Sequence, residues 1–319
     1  MMKEIGGYMG LEDFSGEEYY AGLHRVNLGR TALLWLLEAR KYRKLWLPFY
    51  LCSSVTESLG QTDISLEFYR IRRDLSPVLP DRLADGEALY LVNYYGTLTD
   101  EKILNFKRKY ERIIVDHTHS FFQRPLPHVD TLYSCRKFFG VSDGAYLATD
   151  AVLAPKERDI SMGHMAHVLG RYETDAASWY QTMLDNAHRY ESAPILRMSR
   201  LTENLMRVID YPRVKEVRED NYRSLRSLLP GDNPFLTDSP EGPFAYPYYH
   251  KDGIRLRNYL ARKKIFVPTN WSNVLKEQPT GSPEYDFAAN ILPLPCDQRY
   301  GYKEMAYIAR TILDFDRQT

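Results

Sequence analysis

The sequence is poor in the usual signposts. Its three cysteines, Cys52, Cys135 and Cys296, lie far apart with no paired spacing. That pattern supports neither a disulfide framework nor a cysteine-rich zinc site, and it points to a reducing compartment, the cytoplasm. Charge of neither sign dominates, with 42 Lys+Arg against 42 Asp+Glu, so no global basic field argues for a nucleic-acid partner. No stretch is long and apolar enough to span a bilayer. The opening MMKEIGGYMGLEDF lacks the apolar run of a secretory signal. The chain lacks G-x-G-x-x-G after its first strand and G-x-x-x-x-G-K-[ST] anywhere, which counts against a nucleotide-binding module.

What is present builds a packed core. Hydrophobic residues make up 44% of the 319 and charged residues 26%, a balance that excludes wholesale disorder and suits a large α/β domain, alone or with a smaller one. The 25 tyrosines suit half-buried surfaces with polar tips, as in an aromatic-lined cleft. RTALLWLLEARKYR (30–43) places Leu33, Leu36, Leu37 and Tyr42 at helical spacing behind the glycine of NLG. KLWLPFY and DISLEFYRI read as strands around a helix, LCSSVTESLG, closed by Gly60. EALYLVNYYG is a strand, DEKILNFKRKY an amphipathic helix, and RIIVDHTHS, DTLYSC and GAYLATD are further strands. This alternation predicts a mainly parallel sheet flanked by helices, with ligands at the carboxyl ends of the strands.

From Ala151 to about Glu191 the chain is polar and helical in character. One or two helices interrupted at Pro212 follow, then a loop from Pro230 to Pro243 rich in Pro, Gly and Asp. FAYPYYH and IFVP read as strands around the helix DGIRLRNYLARKK, and ILPLPCDQRYGYKEMAYIARTILDF as a strand and a terminal helix. The expected division is a large domain over 1–208 and a small C-terminal α/β domain over 209–319.

Four features fall at strand ends or turns. NLGRTALL offers Gly29, the free N–H groups of a helix start, Arg30 and Thr31, a set that suits a phosphate and equally an ordinary capped helix. Asp116 closes the strand Ile113-Ile114-Val115, where a carboxylate is costly without a proton or cation to meet it. His119 and Ser120 follow it, and the alternatives are an ordinary charge or cap at a strand end, or a metal pair with His117. In YSCRKFFG, burial and Arg136 together would lower the Lys137 pKa and make it an amine nucleophile, with Ser134 in reach of a phosphate. The plain alternative is a solvated lysine. Asp297, Gln298, Arg299 and Tyr300 end an apolar run, as a closing loop or a hydrogen-bonded turn.

A phosphate-binding helix start, then a strand-end acid, then a strand-end lysine is the order that pyridoxal 5′-phosphate (PLP) enzymes use. The chain resembles the DegT/DnrJ/EryC1/StrS family of PLP-dependent aminotransferases over most of its length. The likeness is carried by GRTAL, LPFYLCSSV, NYYG, DHTHS, SCRKFFGVSDGAYL, LRMS and LPLPCDQRYGYKEM. The resemblance implies PLP fold type I, a homodimer, and transfer of an amino group from an amino-acid donor such as glutamate to a keto substrate, a sugar or nucleotide sugar. It implies that Lys137 holds the cofactor as a Schiff base and that Asp116 pairs with the ring nitrogen. His119 would lie near the ring, Gly29, Arg30, Thr31 and Ser134 on the phosphate, and Tyr50 would pack on the ring. No metal, membrane or nucleic acid is implied.

Two departures stand out. Ile195 occupies the place of an asparagine that reaches the partner's cofactor in the family, and Arg136 adds a cation beside the lysine. A PLP-fold protein with another role, dehydratase- or lyase-like, or binding and regulatory, is the alternative.

Overall fold

The computed structural model describes residues 5–229, 233, 235–236 and 241–318. The sequence-predicted strands assemble into one sheet. They are β2 (Lys44–Pro48), β3 (Ser65–Tyr69), β4 (Glu87–Val92), β5 (Ile113–Asp116), β6 (Asp130–Ser134) and β7 (Ala145–Ala148). A short strand the sequence pattern did not reveal, β1 (His24–Val26), makes seven in the order β1-β7-β6-β5-β4-β2-β3. Pairing is parallel from β3 through β6, and β7 runs antiparallel to both its neighbours. The carboxyl ends of β2, β4, β5 and β6 therefore open on one edge, and β1 leads its chain out at that same edge.

Side chains alternate across the sheet, and both faces are covered, which is why the strands read as nearly continuous apolar runs. Leu45, Leu47, Ala88, Tyr90 and Ile114 meet helix α1 (Gly29–Arg40) and α2 (Ser53–Leu59) on one face. Leu89, Leu91, Ile113 and Val115 enter the other core with Ile103 and Tyr110 of α3 (Asp100–Tyr110). Helix α1 stops where Lys41 takes a left-handed conformation, and Gly60 caps α2 as expected.

The polar middle holds α4 (Ala166–Glu173) and α5 (Tyr180–Arg189). The break at Pro212 separates α6 (Arg200–Met206) from α7 (Tyr211–Leu228), with proline in the first turn of α7, where its missing N–H costs nothing. Beyond it, β8 (Tyr246–Tyr249) and β9 (Ile291–Leu294) pair antiparallel. They pack with α7, α8 (Gly253–Arg262) and α11 (Tyr302–Asp316) around Leu225, Tyr246, Leu256, Leu292, Met305 and Ile312. Helices α9 (Val274–Glu277) and α10 (Pro283–Asn290) bridge to the large sheet through Val274, Phe287 and Ala288. IFVP is not a strand. Lys264 turns left-handed at the end of α8, the Ile265 N–H bonds back to Leu260, and Ile265 and Val267 are buried without a strand partner. Most of the expected 230–243 loop lies outside the described residues.

Candidate active site

Asp116 is the last residue of β5, set between Val92 of β4 and Leu132 of β6. It is 8% exposed. Oδ2 accepts from the Tyr90 hydroxyl at 2.7 Å and Oδ1 from the Thr118 N–H at 2.8 Å. Burial raises its pKa despite these bonds and the nearby Lys137 amine. An acid held this way gains most from a partner that shares a proton with it.

Lys137 ends a single 3-10 turn, Cys135–Lys137, directly after β6. Buried Cys135, Phe138 and Phe139 grip the backbone on either side. The lysine side chain reaches solvent and makes no hydrogen bond or ion pair among the described residues. The protein packed about it still withdraws enough water to lower its pKa. Cys52 and Asp116 oppose that shift, while Arg136 and Arg30 reinforce it. An accessible side chain with dense walls is what a position inside a crevice looks like, and it keeps the amine nearer its nucleophilic form.

Gly29 and Arg30 open α1 at the same edge. A Cβ on Gly29 would meet no atom within 4 Å, so the chain's own packing does not require glycine there, whereas a ligand lying against the backbone would. Arg30 is half-buried, which lowers its pKa, and it has no ion pair among the described residues. Ser134 is half-buried at the end of β6.

His119 is 5% exposed and lies flat against Phe244, with ring centroids 4.1 Å apart and planes 9° apart. It also stacks on Trp271 at 5.3 Å. Burial and the Lys137 charge push its pKa well down, so it is neutral, and its Nδ1 has no partner.

Two expected contacts are placed differently. Thr31 is fully buried, and its hydroxyl is engaged with Asn27 Oδ1 at 2.5 Å, the Leu28 carbonyl at 3.0 Å and the Leu28 N–H at 3.2 Å. It fastens the helix start and does not face the crevice. Tyr50 is also fully buried, among Tyr94, Trp271 and Phe287. It backs the aromatic layer of Trp271 and His119 and is not itself exposed to a ligand. The metal use of the His117 turn gains no support. His117 Nδ1 accepts from Asn93 at 3.1 Å, burial takes its pKa to about 3, and no group of three metal-ligating side chains occurs among the described residues. Phe244 and Trp271 were not legible as site residues, since only the tertiary fold brings them to His119.

An acid and a lysine thus stand at adjacent strand ends, on the sheet edge where helix α1 begins, and the fold is one shared with solved aminotransferases. Among solved structures, the chain is similar to Helicobacter pylori PseC, an aminotransferase involved in the biosynthesis of pseudoaminic acid (TM-score 0.64, 14% identity, 92% of this chain and 86% of that one). It is similar to a DegT DnrJ EryC1 StrS aminotransferase from Brucella abortus (TM-score 0.61, 14% identity, 93% and 87%). It is also similar to the sugar aminotransferase CalS13 from Micromonospora echinospora (TM-score 0.60, 13% identity, 92% and 87%). No family model and no curated protein sequence matches the chain.

The residues fit PLP. A buried acid stands where a ring nitrogen could share its proton, an unpaired amine lies near it, and Arg30, Ser134 and the open backbone at Gly29 offer an anion cradle.

Proposed function

We propose that the protein is a PLP-dependent aminotransferase that moves an amino group from an amino-acid donor, with glutamate the first to try, to a keto sugar or nucleotide sugar. The observation that carries this reading is Lys137, an amine without a partner and with a lowered pKa, beside the buried acid Asp116. The sugar acceptor is supported by the likeness to CalS13, a sugar aminotransferase.

The cofactor, when bound, supplies an electron sink that lets an amino group leave one carbon skeleton and join another. The chain's own residues do the rest. Asp116 holds a proton at the ring nitrogen and so keeps that sink deep. Lys137 would hold the cofactor and would take up and return a proton at Nζ as general base and acid. Arg30, Ser134 and the Gly29–Arg30 N–H groups bind the phosphate, and neutral His119 with Trp271 and Phe244 forms an apolar wall that excludes water.

The purified protein should be yellow. Borohydride reduction followed by peptide mapping should place the label on Lys137, and adding the right amino acid should convert the cofactor to its amine form with release of a keto acid. A label on another lysine would overturn the site. A label on Lys137 without conversion by any amino acid would favour a dehydratase-, lyase- or binding-type role.

The same reading includes a cytoplasmic homodimer and a boundary near residue 208 between a large and a small domain. Free thiols at Cys52, Cys135 and Cys296 support the compartment, exposed apolar residues on segment 160–180 support the dimer, and the separate core around β8 and β9 supports the boundary.

A further inference from the structure

The balanced total charge conceals two basic runs that the fold brings together. One is Arg70-Ile71-Arg72-Arg73, directly after β3, and the other is Lys107-Arg108-Lys109, in the last turn of α3. Most of these cations are spent inside the chain. Arg70 pairs with Glu284 at 3.1 Å and Arg73 with Asp286 at 3.5 Å. Lys107 donates to the Glu111 carbonyl at 2.6 Å, and Arg108 donates to Asn105 Oδ1. Arg72 and Lys109 have no ion pair among the described residues, are exposed, and line one groove of about 280 Å³. Asp74, which feels the Arg72 charge, is engaged by the Ser76 N–H at 3.0 Å and the Ser76 hydroxyl at 2.5 Å.

The groove is chemically one-sided. Pro77, Leu79, Phe106 and Tyr110 form an apolar wall. The Tyr110 hydroxyl is taken by the Pro80 carbonyl at 2.7 Å, and Ser76 by Asp74, so the wall offers a ligand no hydrogen bond. At the rim, Arg72 gives one nitrogen to the Pro77 carbonyl at 2.8 Å and keeps its other N–H groups free. The Lys109 ammonium lies 5.0 Å from the Tyr110 ring centroid. Guanidinium and ammonium groups only donate. A ligand must therefore bring acceptors and negative charge to the rim and an apolar body to the wall. Two cations match a dianion, which a phosphate ester supplies and a carboxylate does not. An aromatic ring matches a wall that holds Phe106 and Tyr110. The volume of about 280 Å³ falls just under the pockets of about 300–1,000 Å³ that take drug-sized ligands, so it suits one ring and not a nucleotide sugar.

The groove also stands apart from the crevice. The last turn of α3 leads into the amino end of β5 at Ile113, whereas Asp116 closes the carboxyl end of the same strand. We propose that the groove between Arg72 and Lys109 binds a single aromatic ring carrying a phosphate, at a site separate from the one that would hold the cofactor. The proposal does not rest on the aminotransferase reading.

The test is calorimetric titration of phenyl phosphate into the holoprotein after borohydride has fixed the cofactor, with inorganic phosphate and phenol as the comparison ligands. Saturable binding of phenyl phosphate is expected, about 10- to 50-fold tighter than inorganic phosphate because the ring is buried, with phenol showing none over the same range. Arg72→Gln and Lys109→Gln should each weaken it about 3- to 10-fold, and the pair about 10- to 100-fold. Both positions are exposed, so the melting midpoints should stay with the parent's, and either single variant carries the test if the other does not fold. No saturable binding would overturn the proposal. So would equal affinity for inorganic phosphate, or binding that ignores both substitutions. Binding to cofactor-free protein that is lost in the fixed holoprotein would place the ligand in the crevice and overturn it as well. Absence of the borohydride label from Lys137 would sink the aminotransferase reading alone, and the titration would then be read on the protein as purified.

Discussion

At the scale of single residues, the site holds groups that the folded chain alone does not favour. Lys137 titrates lower in the folded protein than in the unfolded chain because the protein packed around its solvent-reaching side chain withdraws water from its charge, and Arg136 and Arg30 repel it. Between the two pKa values the unfolded chain binds the extra proton, so stability rises with pH through that window, and the penalty is full below the folded value. Cofactor-free Lys137→Met should therefore resist urea better than the parent at pH 7, with the gap closing as pH approaches about 10.5. A variant less stable than the parent at pH 7 would mean that the amine has a folded-state partner. Gly29 makes the complementary case. Ala at that helix start should be neutral or stabilising by about 0.5–1 kcal/mol, because its Cβ meets nothing in the chain. It should nevertheless weaken cofactor binding by about 10- to 100-fold, the equivalent of a charge-assisted hydrogen bond displaced. Thermal melts and a cofactor titration followed by absorbance would read the two effects separately.

At the scale of elements, helix α7 steadies the turn that carries the lysine. Arg218 is 1% exposed. It donates to the Phe138 carbonyl at 3.2 Å, the Pro243 carbonyl at 2.8 Å and Gln298 Oε1 at 2.8 Å, with its guanidinium 4.5 Å from the Phe138 ring centroid. Without a carboxylate partner, burial lowers its pKa to about 10. Arg218→Met should cost about 3 kcal/mol in denaturant unfolding, since it strands several buried acceptors, and should slow cofactor capture by loosening Phe138 beside Lys137. Such an element-level link was not legible in the sequence. The strand ends were, because Asp116 and Lys137 each follow a short apolar run whose buried strand could be read without a partner. Thr31 shows the limit. A hydroxyl at a helix start can face a ligand or turn back on the backbone, and only the position of Asn27 decides it. His119 shows another, because the rings it stacks on lie 125 and 152 residues further along the chain. The reading of IFVP as a strand erred because local apolar character reports burial, whereas a strand also needs an edge to pair with.

At the scale of the whole molecule, the chain carries apolar surface it does not cover. Ile160, Met162, Leu169, Tyr172 and Tyr180 are 74%, 78%, 57%, 87% and 58% exposed, all within one stretch of the middle segment. Scattered exposed apolar residues are ordinary, but a concentration of large ones marks a surface made to be covered, and a self-complementary patch closes most simply as a two-fold dimer. Leu169 and Tyr172 stand three apart on α4, so a charge at each would meet its symmetry mate or a neighbour in such a contact. Leu169→Glu with Tyr172→Asp should leave the melt of the isolated chain within about 0.5 kcal/mol, as for exposed sites, while sedimentation velocity shows a shift from dimer to monomer. A monomeric parent would remove the dimer from the reading. A dimer untouched by both charges would move the interface elsewhere on the molecule and leave the apolar stretch to another partner.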